Sequence, residues 1–120
     1  MKTILTVDDS LSIRQMVSMT VSQLGHTAVT AKDGVEGLEQ LAANDIAMII
    51  TDVNMPRMDG IEFVRQARAT PQGRLIPIVM LTTESQPEMK QAGKAAGATG
   101  WIVKPFTRDQ LTMVVTRLMR

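Results

Sequence analysis

Met48-Ile49-Ile50-Thr51-Asp52-Val53-Asn54-Met55-Pro56 decides the fold of this chain. An apolar run passes through one threonine into a single carboxylate, and an amide and a proline follow. The apolar part reads as a buried strand. The rest reads as the loop at its C-terminal end, closed by Met58-Asp59-Gly60. A carboxylate at the mouth of a buried strand is costly without a charge partner, a hydrogen bond or a metal. Asp52 is therefore the first candidate for chemistry.

Working outward, the same pattern of strand then helix recurs on both sides. Ile4 to Val7 is a short β-favouring run stopped by Asp8-Asp9-Ser10. Ile13, Met16, Val17, Thr20, Val21 and Leu24 then recur at helical spacing, with Gly25 as a cap after the last turn. Thr27 to Ala31 is more polar and suits an edge strand, and Lys32-Asp33-Gly34 reads as a turn. Val35, Leu38, Leu41 and Ala42 form one face of a second helix, after which Ala47 to Thr51 is strand three. Ile61, Val64, Ala67 and Arg68 give a third helix, and Ile76 to Leu81 a fourth strand ending at Thr82-Thr83-Glu84. Pro87 to Ala96 is a fourth helix interrupted by Gly93. Trp101-Ile102-Val103 is a fifth strand ending at Lys104-Pro105. Thr107 caps a last helix whose apolar face is Leu111, Val114, Val115 and Leu118. Strand–helix alternation predicts an α/β fold, a doubly wound five-stranded parallel sheet with right-handed crossovers and helices on both faces.

The bulk composition narrows the function. One hundred and twenty residues suit a single domain over 1–120, with no room for a second. Hydrophobic content of 44% and charged content of 21% are ordinary for a soluble protein. No apolar run approaches the roughly 20 residues of a membrane span. The N-terminal run meets Asp8-Asp9 too soon for a signal peptide, so cytoplasm is the expected location. Absence of cysteine excludes disulfides, thiolate zinc sites and thiol nucleophiles. A net charge of +1 with scattered Lys and Arg gives no nucleic-acid footprint, and Phe63, Trp101 and Phe106 are few platforms for base stacking.

Ligands of open α/β sheets bind beyond the carboxyl ends of the strands. Here those ends carry Asp8-Asp9, Asp52, Thr82 and Lys104. Clustered carboxylates repel one another, and a divalent cation relieves that. An all-oxygen donor set selects a hard ion, Mg²⁺ or else Mn²⁺, over Zn²⁺. Mg²⁺ commonly completes its coordination with phosphate oxygens, so the site reads as built for a phosphoryl group. Asp52 would be the carboxylate nucleophile, and Lys104 and the Thr82 hydroxyl would hold phosphoryl oxygens.

These residues carry a resemblance. Asp8-Asp9 after strand one, Asp52 within Asp-Val-Asn-Met-Pro-Arg-Met-Asp-Gly, Thr82, and Lys104-Pro105-Phe106 together resemble the receiver domain of bacterial two-component response regulators. The resemblance covers the whole chain and implies the flavodoxin-like strand order 2-1-3-4-5. It implies that Asp8 and Asp9 bind Mg²⁺, that Asp52 binds it and accepts the phosphoryl group, and that Asn54 offers its backbone carbonyl to the metal. It implies that Thr82 moves to meet the phosphoryl group, that Trp101 stands where an aromatic swings inward on activation, and that the Lys104–Pro105 peptide is cis. Asn54 and Glu84 would tune dephosphorylation. Thr82-Thr83-Glu84-Ser85 and the run Gly93 to Trp101 are similar to the stand-alone, CheY-like chemotaxis type, which has no output domain. That type implies a monomer, a chemotaxis histidine kinase as donor, and the flagellar motor switch or a phosphatase as partner. It implies a phosphoprotein rather than an enzyme, with self-catalysed phosphorylation and dephosphorylation only. Trp101 and Thr83 depart from the usual pattern in bulk, which bears on the inward swing.

Plainer readings stand beside these. Asp8, Asp9 or Thr82 alone would suit a helix cap, and Asp59-Gly60 a turn without chemistry. Lys104 alone would suit a solvated surface, and Trp101 a partly buried edge-strand residue. Glu84 suits a solvated loop charge, and His26 an exposed turn residue. Most methionines would fill the core, with Met89 and Met113 on a partner-binding face. Within the family, a phosphate sink or phosphorelay intermediate is the alternative role. From other classes, a flavin-binding module would need a phosphate loop where Asp8-Asp9-Ser10 stands. A phosphohydrolase would need a second acid where Asn54 stands.

Overall fold

The computed structural model describes residues 2–83 and 87–119. The elements run β1 (Thr3–Val7), α1 (Leu11–Gln23), β2 (Thr27–Ala31), α2 (Gly34–Ala43), β3 (Met48–Asp52), α3 (Gly60–Arg68), β4 (Ile78–Thr83), α4 (Pro87–Ala96), β5 (Gly100–Lys104) and α5 (Arg108–Leu118). The strands form one parallel sheet in the order β2-β1-β3-β4-β5. The predicted alternation and strand order both hold. β2 is an edge strand, as its polar alternation requires, and β3 is central and buried at every position.

Strand residues point alternately to opposite faces, so each strand feeds two cores. Leu5, Val7, Ile49, Ile78 and Met80 pack with Leu41, Phe63, Val64 and Ala67 from α2 and α3. Ile4, Met48, Ile50, Val79, Leu81 and Ile102 pack with Val17 and Val21 of α1 and Leu111 and Val115 of α5. Each fully buried Val, Leu, Ile, Met or Phe among them contributes about 1.5–3 kcal/mol of transfer free energy. The sheet is thereby fixed from both sides, and the strand ends can carry polar groups.

Four helices begin at side-chain caps. Ser10 accepts from the Ile13 N–H, Asp33 from Glu36, Asp59 from Glu62, and Thr107 from Gln110 in a full capping box. This corrects two turn readings. Asp33 and Asp59 are N-caps, and Gly34 and Gly60 are the first helical residues after them. The helix start at Gly60 demands glycine, because a Cβ there would lie 2.1 Å from the Asp52 carbonyl oxygen. Nor does Gly93 interrupt α4: the helix runs through it and seats Met80 beneath, where a Cβ would meet the Met80 Cε at 2.0 Å. Met89 is half-buried against the α2–α3 core, while Met113 is exposed. His26 is half-buried and accepts the Lys2 N–H at Nδ1. No helix among the described residues is long and apolar enough to cross a membrane.

Candidate functional site

The alternation that builds the core also builds the site. Asp8 continues the face of Ile4, Asp52 that of Met48 and Ile50, and Lys104 that of Ile102, so all three lie on the α1–α5 side. Parallel strands bring these ends to one sheet edge, where Asp8, Asp9 and Asp52 each place a carboxylate oxygen within 4.8 Å of the others. Asp8 is fully buried, Asp52 is 6% exposed and Asp9 is exposed. The Lys104 ammonium donates to Asp52 Oδ1 at 3.0 Å and sits 3.6 Å from Asp8 Oδ2. Asp52 Oδ1 also accepts the Val53 N–H at 2.8 Å.

Asp8 shows the electrostatic tension. Burial pushes its carboxyl above the usual carboxylate range, and the negative charges of Asp52 and Asp9 push the same way. The Ser10 N–H on Oδ1, at 2.9 Å, and the Lys104 ammonium pull only partly back. Among the described residues Asp8 Oδ2 is buried without a hydrogen-bond partner. A buried acceptor left unpaired is costly, and one lysine set against three acids leaves the cluster net negative. An all-oxygen, partly open, anionic pocket with an unused buried acceptor fits Mg²⁺. Two backbone anchors hold the acidic turn: the Asp8 N–H donates to the Ala31 carbonyl at 3.0 Å, and Arg14 Nη1 donates to the Asp8 carbonyl at 2.6 Å.

Other predicted residues stand apart from this cluster. Thr82 follows Leu81, the register partner of Asp52, and by alternation shares the opposite face with Ile78 and Met80. Its hydroxyl is buried and makes no hydrogen bond among the described residues. Asn54 is exposed in the loop directly after β3. The Lys104–Pro105 peptide is cis. Trp101 is 39% exposed, with the Lys90 ammonium 5.9 Å from its ring centroid, so its side chain is turned outward. Thr83 lines a groove of about 350 Å³ with Ile13, Met16, Lys104, Pro105 and Phe106. Glu84, expected to tune dephosphorylation, lies outside the described residues.

Sequence reasoning missed a contact beside the site. Arg57, in the loop after β3, makes a two-pronged ion pair with Asp33, the N-cap of α2, through Nε to Oδ2 at 2.8 Å and Nη2 to Oδ1 at 3.0 Å. The sequence places Asp33 in the turn Lys32-Asp33-Gly34 and Arg57 in the loop after β3, and local pattern alone pairs neither. The signal available was topological: the loops after β2 and β3 emerge at the same sheet edge, so opposite charges in them can meet.

A family model described as the response regulator receiver domain matches residues 4–116. The chemotaxis protein CheY1 of Helicobacter pylori is 43% identical over 110 residues, covering 90% of this chain and 89% of that protein. The response regulator MprA of Mycobacterium ulcerans is 38% identical over 117 residues, and there the chain spans only 50% of the relative's length. The solved structure of the chemotaxis response regulator CheY4 of Vibrio cholerae superposes with a TM-score of 0.93 at 51% identity, covering 98% of both chains. The chain belongs to the response regulator receiver family. Within that family it is of the CheY-like type.

Proposed function

We propose that this chain is a phosphorylation-controlled chemotaxis switch in which Asp52 takes a phosphoryl group from a histidine kinase. The observation that carries the reading is the Asp52 carboxylate at the mouth of the central strand, bonded to Lys104 at 3.0 Å within a three-carboxylate cluster. Both the Val53 N–H and the Lys104 ammonium fall on Oδ1. Among the described residues nothing hydrogen-bonds to Oδ2, so that oxygen is free to attack. It forms a bond to phosphorus as the phosphorus–nitrogen bond of a phosphohistidine breaks, and the electron pair leaves with the imidazole, which takes up a proton. Asp8, Asp9, Asp52 and the Asn54 backbone carbonyl would hold Mg²⁺, which supplies positive charge where phosphoryl oxygens gather. Lys104 adds a fixed cation at the same place.

The product places a doubly charged group beside Lys104. The Thr82 hydroxyl, with no hydrogen bond among the described residues, is the donor that can be drawn toward it. Its departure empties space on the α4 side for Trp101, which starts from an exposed position. The signal is then read on the face of α4, β5 and α5, where Trp101, Ile102, Val103, Gln110, Met113 and Val114 line a groove of about 320 Å³. The relatives are named as chemotaxis proteins, which supports a chemotaxis role; a chemotaxis histidine kinase as donor and the flagellar motor switch as target follow from the resemblance to that type. The chain is accordingly a signalling protein, and its chemistry is confined to acquiring and losing its own phosphoryl group.

Intact mass after incubation with acetyl phosphate and Mg²⁺, on wild type and Asp52→Asn, tests the chemistry, with Trp101 fluorescence recorded alongside. Wild type should gain one phosphoryl group and the variant none, and the fluorescence should change. Two unmodified proteins would remove the phosphoacceptor reading. A phosphorylated protein that ignores a motor-switch peptide would instead point to a phosphate sink.

A further inference from the structure

We infer that the Arg57–Asp33 pair positions the loop following β3 and thereby sets the affinity of the acidic cluster for a divalent cation. This rests on the metal-binding reading above and adds two residues that touch neither cation nor phosphoryl group.

The loop is held at three places. At its far end the Gly60 N–H donates to the Val53 carbonyl at 2.7 Å, drawing the start of α3 onto the end of β3. Within it the Met58 N–H donates to the Pro56 carbonyl at 2.7 Å. Its middle is tied to another part of the chain, because Arg57 reaches Asp33 at the start of α2. Contact there is tight: a Cβ on Gly34 would lie 2.9 Å from the Met58 side chain. Arg57 itself has φ +66°, a conformation that a residue bearing a Cβ keeps when its surroundings hold it. Between these fixings runs the short segment that carries Asn54.

The pair is poorly suited to a stability role. The Arg57 side chain is 54% exposed, and exposed pairs are screened by water and salt. A two-pronged guanidinium–carboxylate bond is well suited to fixing geometry, since its planar fork accepts one orientation. Asp33 is nearly buried and already anchored by the Glu36 N–H, so it is the fixed partner and the loop is the part positioned.

Charge alone and positioning make opposite predictions for one variant. Removing the Arg57 cation would, by Coulomb attraction alone, strengthen cation binding nearby. Loss of loop positioning would weaken it. Asp33→Asn serves as the partner variant because asparagine caps a helix as well as aspartate.

The experiment measures Mg²⁺ affinity by calorimetry, well below the melting temperature, for wild type, Arg57→Ala, Arg57→Lys, Asp33→Asn and the Ala/Asn double variant. Melting temperatures in EDTA and hydrogen exchange of the Met58 amide in metal-free protein accompany it. Arg57→Ala and Asp33→Asn should each weaken Mg²⁺ binding by about 3–10-fold, below the 10–100-fold typical of groups bonded directly to metal ligands. Arg57→Lys should fall between, the double variant should be no weaker than either single one, and the Met58 amide should exchange faster. Tighter binding by Arg57→Ala, or wild-type affinity in both single variants whatever their melting temperatures, would overturn the inference alone. Wild type that binds no Mg²⁺ would overturn the site reading and this inference with it.

Discussion

Asp8 bears most of the site's electrostatic strain, because it is fully buried, faces two other carboxylates and keeps one oxygen unbonded. Its charge is therefore unfavourable to folding in the absence of a cation. Asp8→Asn keeps an oxygen for the Ser10 N–H while removing the charge, and Lys104 retains Asp52 as its partner. The variant should melt roughly 2–6 °C higher than wild type in EDTA. It should also lose most of the further rise that Mg²⁺ gives wild type, since that rise follows the occupancy of the site. Thermal melts with and without Mg²⁺ check both parts, and a lower melting point in EDTA would show the acidic cluster to be balanced already. Lys104→Met tests the opposite direction. It removes the cation 3.0 Å from Asp52 and 3.6 Å from Asp8, leaving the acids uncompensated. With a quarter of the lysine side chain exposed, the loss should be about 1–3 kcal/mol by urea denaturation in EDTA, below the cost of breaking a fully buried pair.

At the scale of elements, the junction of β3 with α3 decides where the nucleophile stands. Gly60→Ala would force a methyl group to within 2.1 Å of the Asp52 carbonyl oxygen and 2.8 Å of the Val53 Cα, both backbone atoms that cannot rotate away. We expect a loss of roughly 2–4 kcal/mol, with slower phosphorylation of the fraction that stays folded. Thr107→Ala is the matched control: it removes the capping box of α5 at a cost of about 1 kcal/mol and should leave phosphorylation unchanged. Comparable phosphorylation in the two variants at equal folded fraction would count against the junction's role. These elements also show what could be read in advance. The apolar run of β3, the helical spacing of α1 and the polar alternation of β2 are local patterns; each matches the element formed, and β2 lies at the sheet edge as its alternation suggests. Strand ends then gave Asp8, Asp52 and Lys104 as neighbours, because parallel topology fixes where those ends meet. Asp33 and Asp59 escaped because Asp-Gly is also a turn signal, and local sequence does not separate a turn from a cap. The Arg57–Asp33 pair escaped because it joins loops 24 residues apart with no periodicity to announce them. Thr82 was named correctly as a strand-end hydroxyl, yet its place on the opposite face from Asp52 follows from register, which only the paired sheet reveals.

The molecule as a whole couples two cores through one sheet, and two carboxyls whose titration is shifted, Asp8 and Asp33, sit in loops that follow β1 and β2. Its response to acid should therefore come from those loops. The Arg57 guanidinium holds the Asp33 carboxyl below the usual carboxylate range, with the Glu36 N–H acting the same way. A carboxyl whose folded value is depressed contributes stability that is fully present above its unfolded value of about 3.9 and is lost as pH falls through the folded value. Asp8 has the opposite sign. Burial raises its folded value, so as pH falls through that value the folded chain takes up a proton that the unfolded chain does not yet hold, and stability rises. Descending from neutrality in EDTA, wild type should first gain slightly and then fall once Asp33 protonates. Asp8→Asn should remove the gain and keep the fall, whereas Arg57→Ala should keep the gain and soften the fall, since Asp33 would then titrate nearer its unfolded value. Urea denaturation of the three proteins at closely spaced pH values from 7 to about 2.5 would resolve both features. If Arg57→Ala lost stability as steeply as wild type below pH 4, the acid sensitivity would have to arise elsewhere. The Glu62 carboxyl is also depressed, first by the Gln66 side-chain amide and then by Arg65, but it is exposed on α3 and its contribution is screened. A steep fall that survives Arg57→Ala would therefore point away from single loop pairs and toward charge accumulating over the whole folded surface.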